Sequence, residues 1–176
     1  MGYLTASFED LDQHAMEQLV IETNELSPIL RGHIFIEKTL ETLISRNLEI
    51  PQAFFSRNRG FDLKLDLARA MGLLSEAYYL SLKALNSIRN SYSHQAAYKV
   101  SFEELNSLKF GWEPIQKEAY AKACQKGIDE AARVAMIFLC GRLLTWLAAQ
   151  MHNNRNSGSI SRCRYKLPAI AGFVKY

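Results

Sequence analysis

Arg89-Asn90-Ser91-Tyr92-Ser93-His94 sets an arginine and a histidine five positions apart, with an amide beside the arginine. Arginine is a permanent cation whose planar fork suits phosphate oxygens. Histidine can give or take a proton near neutral pH. These parts suffice for cutting RNA without a metal. Arg89 would clamp the scissile phosphate, Asn90 would orient it, and His94 would move protons on or off the ribose 2′-hydroxyl or the leaving oxygen. On an ideal helix, residues five apart differ by roughly 140° around the axis and about 7.5 Å along it. Arg89 and His94 would therefore diverge on a straight helix. Ser91 and Ser93 are indifferent helix formers, so the helix is expected to fray or turn near them. Alternatively, two chains meet there and grip each phosphate jointly. Asn86, Asn90 and His94 stand four apart and form one polar line beside the apolar stripe.

The same residues have a purely structural reading. Arg89 could pair with a buried Glu37, and His94 could close a helix C-terminus favoured by the dipole. A third reading combines the two, with Glu37 orienting Arg89 or His94 inside a site. Tyr92 and Asn86 stand near enough in sequence to support that site. His33 and Glu37 sit at i and i+4, but two further metal ligands are missing, so His33 reads as a packed core histidine and no metal or other cofactor is expected. Tyr78, Tyr79, Tyr92 and Tyr98 offer rings for base stacking, although tyrosines more often serve cores and interfaces. Arg57 and Arg59, in a polar loop, are candidate phosphate contacts. No Walker loop, dinucleotide-binding glycine pattern or Ser/His/Asp order occurs.

The apolar run Leu80-Ser81-Leu82-Lys83-Ala84-Leu85-Asn86-Ser87-Ile88 leads directly into Arg-Asn-Ser-Tyr-Ser-His. Together they resemble the signature of the HEPN superfamily of all-helical domains, an arginine with a polar neighbour and a histidine a few residues on. Two further blocks are similar to the branch that includes mannitol operon repressor-like proteins. One is Phe61 to Leu74 and the other is Arg31-Gly32-His33-Ile34-Phe35-Ile36-Glu37-Lys38-Thr39-Leu40-Glu41. The resemblance spans roughly residues 15 to 150. It implies a homodimer whose motifs face each other across a cleft and a metal-independent RNA endonuclease acting in stress response, as a toxin or in phage defence. A protein partner such as an antitoxin fits that setting. The repressor-like branch implies the alternative, a non-catalytic regulator or binding protein.

A chain of 176 residues with 48% hydrophobic and 22% charged residues can bury a sizeable core. The net charge of +3 conceals an asymmetry, because Arg155, Arg162, Arg164, Lys166 and Lys175 lie beyond Asn153 with no acid among them. Without those five cations the body is roughly −2, which argues against a general polyanion binder and makes the tail a candidate RNA-binding arm. A docked tail, held by Leu167, Ile170 and Phe173, is the other possibility. Cys124, Cys140 and Cys163 form no C-x-x-C pair, and Glu9, Asp10 and Asp12 interrupt the N-terminus, so a reduced cytoplasmic protein without a signal peptide is expected. Ala131 to Ala149 is apolar but contains Arg133 and Arg142, which favours a core helix over a membrane span.

These residues would be positioned by an all-α, up-down bundle of five or six main helices, with a helical domain over 1–152 and a basic tail over 153–176. Phe8 to Thr23 reads as a first helix. Ser27-Pro28 opens a second, with a stripe of Ile29, His33, Ile36, Leu40 and Leu43 or Ile44, which Pro51 ends. Phe61 to Met71 alternates like a strand but is assigned to helix, with Leu63, Leu67, Ala70 or Met71 and Leu74 as its inner face. Ser75 caps a helix with Tyr78, Leu82, Leu85, Ile88 and Tyr92 inward. Ser101 to Glu104 resembles a capping box. Pro114 starts a helix to Lys126, Gly127 is a hinge, Ile128 to His152 is the long helix, and Gly141 is a packing contact.

Overall fold

The computed structural model describes residues 28–95 and 98–156, with side chains through residue 148. The helix expected over Phe8–Thr23 and the tail cations Arg162, Arg164, Lys166 and Lys175 lie outside the described residues. Within them the chain is all-α. Helix α1 spans Pro28–Asn47, with proline in the first turn, where its missing N–H costs nothing. It buries Ile29, His33, Ile36, Leu40, Leu43 and Ile44, the expected stripe. Pro51 does more than end α1: it opens a one-turn helix, α2 (Pro51–Phe55).

Helix α3 (Phe61–Ala70) is helical as expected, but its inner face differs. Phe61, Lys64, Leu65 and Ala68 are buried, whereas Leu63 is exposed. The two candidate faces carry similar apolar content, and Lys64, buried by its carboxylate partners, decides the phase. Gly72 stops this helix at φ +71°, with its own N–H donating to the Arg69 carbonyl and the Leu73 N–H to the Ala68 carbonyl. Such paired bonds satisfy the last carbonyls of a helix and need a left-handed residue between them.

Helix α4 (Glu76–His94) begins where the Ser75 hydroxyl accepts from the Tyr78 N–H and buries Tyr78, Leu82, Leu85 and Ile88. It neither frays nor turns at Ser91–Ser93; the Ser93 hydroxyl donates to the Arg89 carbonyl at 3.2 Å and the helix continues through His94. Helix α5 (Phe102–Asn106) has the expected capping box between Ser101 and Glu104.

Helix α6 (Pro114–Lys126) and helix α7 (Ile128–Asn156) are joined by Gly127 alone, at φ +126°. They form a hairpin, because Trp112 stacks edge-on against both Tyr120 and Phe138, and Arg142 lies 3.9 Å from Glu113. Helix α7 runs past the expected end at His152 to Asn156, so Arg155 belongs to its last turn and not to a tail. Its stretch Ile128–Ala148 is long and apolar enough to cross a membrane, and half of it is buried in the fold. Helix α1 packs against α7, α3 and α4. Gly32 on α1 admits the Met136 side chain of α7, where a Cβ would stand 2.1 Å from the Met136 Cε. Gly141, the expected packing glycine, instead faces open space.

Candidate functional site

Three helices contribute one polar wall each to a cleft of about 510 Å³. Helix α1 supplies His33 and Glu37, α3 supplies Asp62 and Lys64, and α4 supplies Arg89 and Asn90. The Asn58-Arg59-Gly60 loop closes one side.

Its floor is a hydrogen-bonded chain that joins all three helices. The Asn86 Nδ2 donates to Asp62 Oδ1 at 2.8 Å, and Asn86 Oδ1 lies 3.0 Å from His33 Nε2. A carboxylate only accepts, so the amide nitrogen must face Asp62 and the amide oxygen must face His33. His33 Nε2 therefore carries the proton and donates. The imidazole is buried and packs against the Phe61 ring with centroids 4.3 Å apart. Burial is the main force holding its pKa below the usual histidine value; the Asn86 bond and Glu37 oppose that shift, and the Arg89 charge adds to it. His33 is thus neutral at neutral pH, the packed histidine its place on the core stripe implied.

Beside this chain Lys64 Nζ donates to Glu37 Oε1 at 2.5 Å and to Glu41 Oε1 at 2.6 Å. The lysine is buried, and the two carboxylates hold its pKa above the usual value against desolvation. Glu37 is therefore committed to Lys64, and the expected Glu37–Arg89 ion pair does not form. Arg89 is half-buried, and its Nη1 donates to Asn90 Oδ1 at 3.2 Å. Among the described residues it makes no ion pair.

The structure brings Arg89, Asn90, Asn86, Glu37 and Arg59 to the cleft but leaves His94 outside its lining. Asn86 is buried, Asn90 half-buried and His94 exposed. Burial thus falls along the polar line as α4 leaves the bundle. Because α4 is unbroken, Arg89 and His94 diverge by roughly 140°. Tyr92 faces away from the cleft and packs edge-on against Tyr98 at 4.7 Å. The Tyr98 hydroxyl donates to Glu104 Oε1 at 2.7 Å, which ties the end of α4 to the cap of α5. Tyr78 is core, its hydroxyl donating to the Arg142 carbonyl, and Tyr79 donates to Asp66. Lys83 Nζ lies over the Tyr79 ring, 5.5 Å from its centroid. Arg57 is exposed on the loop, and Arg59 is held there by its Nε bond to the Phe54 carbonyl at 3.2 Å. Side-chain placement of Arg155 lies outside the description.

Sequence reasoning missed Asp62 and Lys64. The available signal for Lys64 was its place one turn after Phe61, between Phe61 and Ala68 on a face that would bury a lysine only against acids. For Asp62 no local signal existed, since its partner stands on another helix. No family model matches the chain, and neither a curated protein nor a solved structure does.

Proposed function

We propose that this chain is a metal-independent RNA endonuclease of HEPN type, acting as a cytoplasmic two-fold dimer in stress response or defence. Arg89 is the phosphate clamp, Asn90 orients it, and His94 is the acid or base. Attack of the 2′-hydroxyl on the adjacent phosphorus breaks the bond to the 5′-oxygen of the next nucleotide. A cyclic phosphate remains on one fragment and a 5′-hydroxyl on the other. His94 takes the 2′-hydroxyl proton or returns one to the leaving oxygen, while Arg89 neutralises charge on the phosphate oxygens.

The observation that carries this reading is the state of Arg89. Its guanidinium sits at a polar cleft beside an amide and, among the described residues, without a carboxylate, whereas every acid named in the cleft is occupied by Lys64 or Asn86. Its charge is available to an anion. The divergence of His94 from Arg89 supports a composite site, in which one protomer presents Arg89 and its partner His94. A protein partner such as an antitoxin would act by covering that dimer cleft.

His94's place outside the cleft also favours a second reading, a regulator that binds RNA or protein without cutting it. The two separate in one assay. Wild type, Arg89→Ala and His94→Ala are incubated with total RNA in EDTA, and fragment ends are analysed. Cyclic phosphate ends from wild type alone support cleavage. RNA left intact but retained by wild type supports the regulator.

A further inference from the structure

Next to the polar cleft lies a second, more apolar one of about 310 Å³, and Glu41, Asn58, Arg59 and Lys64 line both. Its walls are Pro51 and Phe55 from α2, with Ser45 on α1 and Gln52 and Arg57 at its sides. We propose that this second cleft is a nucleobase subsite, holding the base of the nucleotide next to the phosphate that Arg89 grips. The inference rests on the endonuclease reading above and names the feature of RNA that the site would read.

Three observations converge on a base. The first is shape and surface: a small cleft with an aromatic wall, its exposed surface mostly apolar although Glu41, Gln52, Arg57 and Arg59 rim it, suits a flat heterocycle better than a phosphate. The second is Ser45, whose Oγ is shielded from solvent with no hydrogen-bond partner among the described residues. A buried hydroxyl left unbonded costs free energy that a ligand polar edge would recover once the Ser45 side chain turns its Oγ to the cleft. The third is Arg59 at the junction of the two clefts. Its Nε bond to the Phe54 carbonyl and its place over the Phe54 ring, 5.5 Å from the centroid, fix its guanidinium there. A phosphodiester crossing between Arg59 and Arg89 would leave its base beside Phe55. A base in the middle of a duplex could not reach this wall, so the substrate is single-stranded RNA or an unpaired loop.

The Ser45 hydroxyl can read one edge of a base, so cleavage should prefer one base, or one pair of bases sharing that edge, at a fixed position beside the cut. Wild type, Ser45→Ala and Gln52→Trp are compared on a random RNA pool with the fragment ends sequenced, and on one preferred oligonucleotide for kinetics. Ser45→Ala should relax the preference about tenfold by the loss of one hydrogen bond. Gln52 is exposed, so tryptophan there fills the cleft without disturbing the core. That variant should raise KM about tenfold or more with kcat little changed, the mark of lost binding shared by ground and transition states. A wild type with no preference near the cut, or an unchanged preference in both folded variants, overturns the subsite while cleavage itself stands. Nucleoside 5′-monophosphates titrated into isotope-labelled wild type supply the independent arm. Shifts at Ser45, Gln52 and Phe55 that Ser45→Ala weakens would uphold the subsite even if wild type cut no RNA. Absence of shifts there at millimolar nucleotide would overturn it.

Discussion

At the scale of single residues, the histidines of α1 and α4 differ most in burial. His94 is exposed at the end of α4, and His33 is buried on α1 and fixed by Asn86. Substituting His94 or Arg89 by alanine should each lower RNA cleavage by about 10²-fold or more, with unfolding midpoints nearly unchanged. His33→Leu should behave in the opposite way. It leaves Asn86 Oδ1 buried without a donor and should cost about 1–3 kcal/mol in chemical denaturation. His33 also sets a pH dependence. Its folded pKa lies below its ordinary 6.5, so between the two values the unfolded chain binds the extra proton. Stability therefore rises with pH in that window and begins to fall on acidification through about 6.5. Denaturation of wild type and His33→Leu at several pH values should show that slope in wild type and lose it in the variant. Arg89, Asn90 and His94 were legible as candidates in sequence because their chemistry lies in residue type and spacing. The partners of Glu37 and Asn86 were not, because Lys64 and Asp62 meet them only after three helices pack.

At the scale of elements, apolar stripes and a proline or serine start located α1 and α4, Pro114 located α6, and the apolar run after Gly127 located α7. Periodicity misplaced the face of α3, where ten residues carry apolar groups on two sides and a buried lysine chooses between them. That choice should be measurable. Lys64→Met leaves Glu37 without a cation and Glu41 with Lys38 alone, and should cost about 2–3 kcal/mol, less than for a wholly buried pair because both acids keep some solvent. Adding Glu37→Gln and Glu41→Gln should recover most of that loss. If the triple variant is no more stable than Lys64→Met, the ion cluster does not determine the face. The α6–α7 hairpin offers a matched pair of glycines. Gly127, at φ +126° and ψ 173°, occupies a region that L-residues scarcely enter, so Gly127→Ala should destabilise by about 1–3 kcal/mol. Gly141 lies mid-helix with open space around its Cα, so Gly141→Ala should stabilise by up to about 1 kcal/mol. Urea titrations giving the same sign for both would contradict the assigned hinge.

At the scale of the whole molecule, composition and helical patterning made the all-α class legible. The continuous α4 bears on assembly, because Arg89 and His94 leave it roughly 140° apart. The protein should be a dimer at micromolar concentration by light scattering, with the Arg89–His94 ends of two chains opposed. The run of cations beyond Asn156 should supply much of the affinity for RNA, so truncation after Asn156 should flatten the salt dependence of binding. The most direct test of the central claim uses subunit mixing in EDTA. Arg89→Ala and His94→Ala proteins are each assayed on RNA alone, then unfolded, mixed and refolded together. A composite site predicts two inactive parents and a mixture that regains about a quarter of wild-type cleavage, since about half the dimers would be mixed and carry one intact site of two. A mixture as inactive as its parents, with mixed dimers demonstrably present, would contradict the composite site; full activity in either parent would contradict the assignment of Arg89 and His94 altogether.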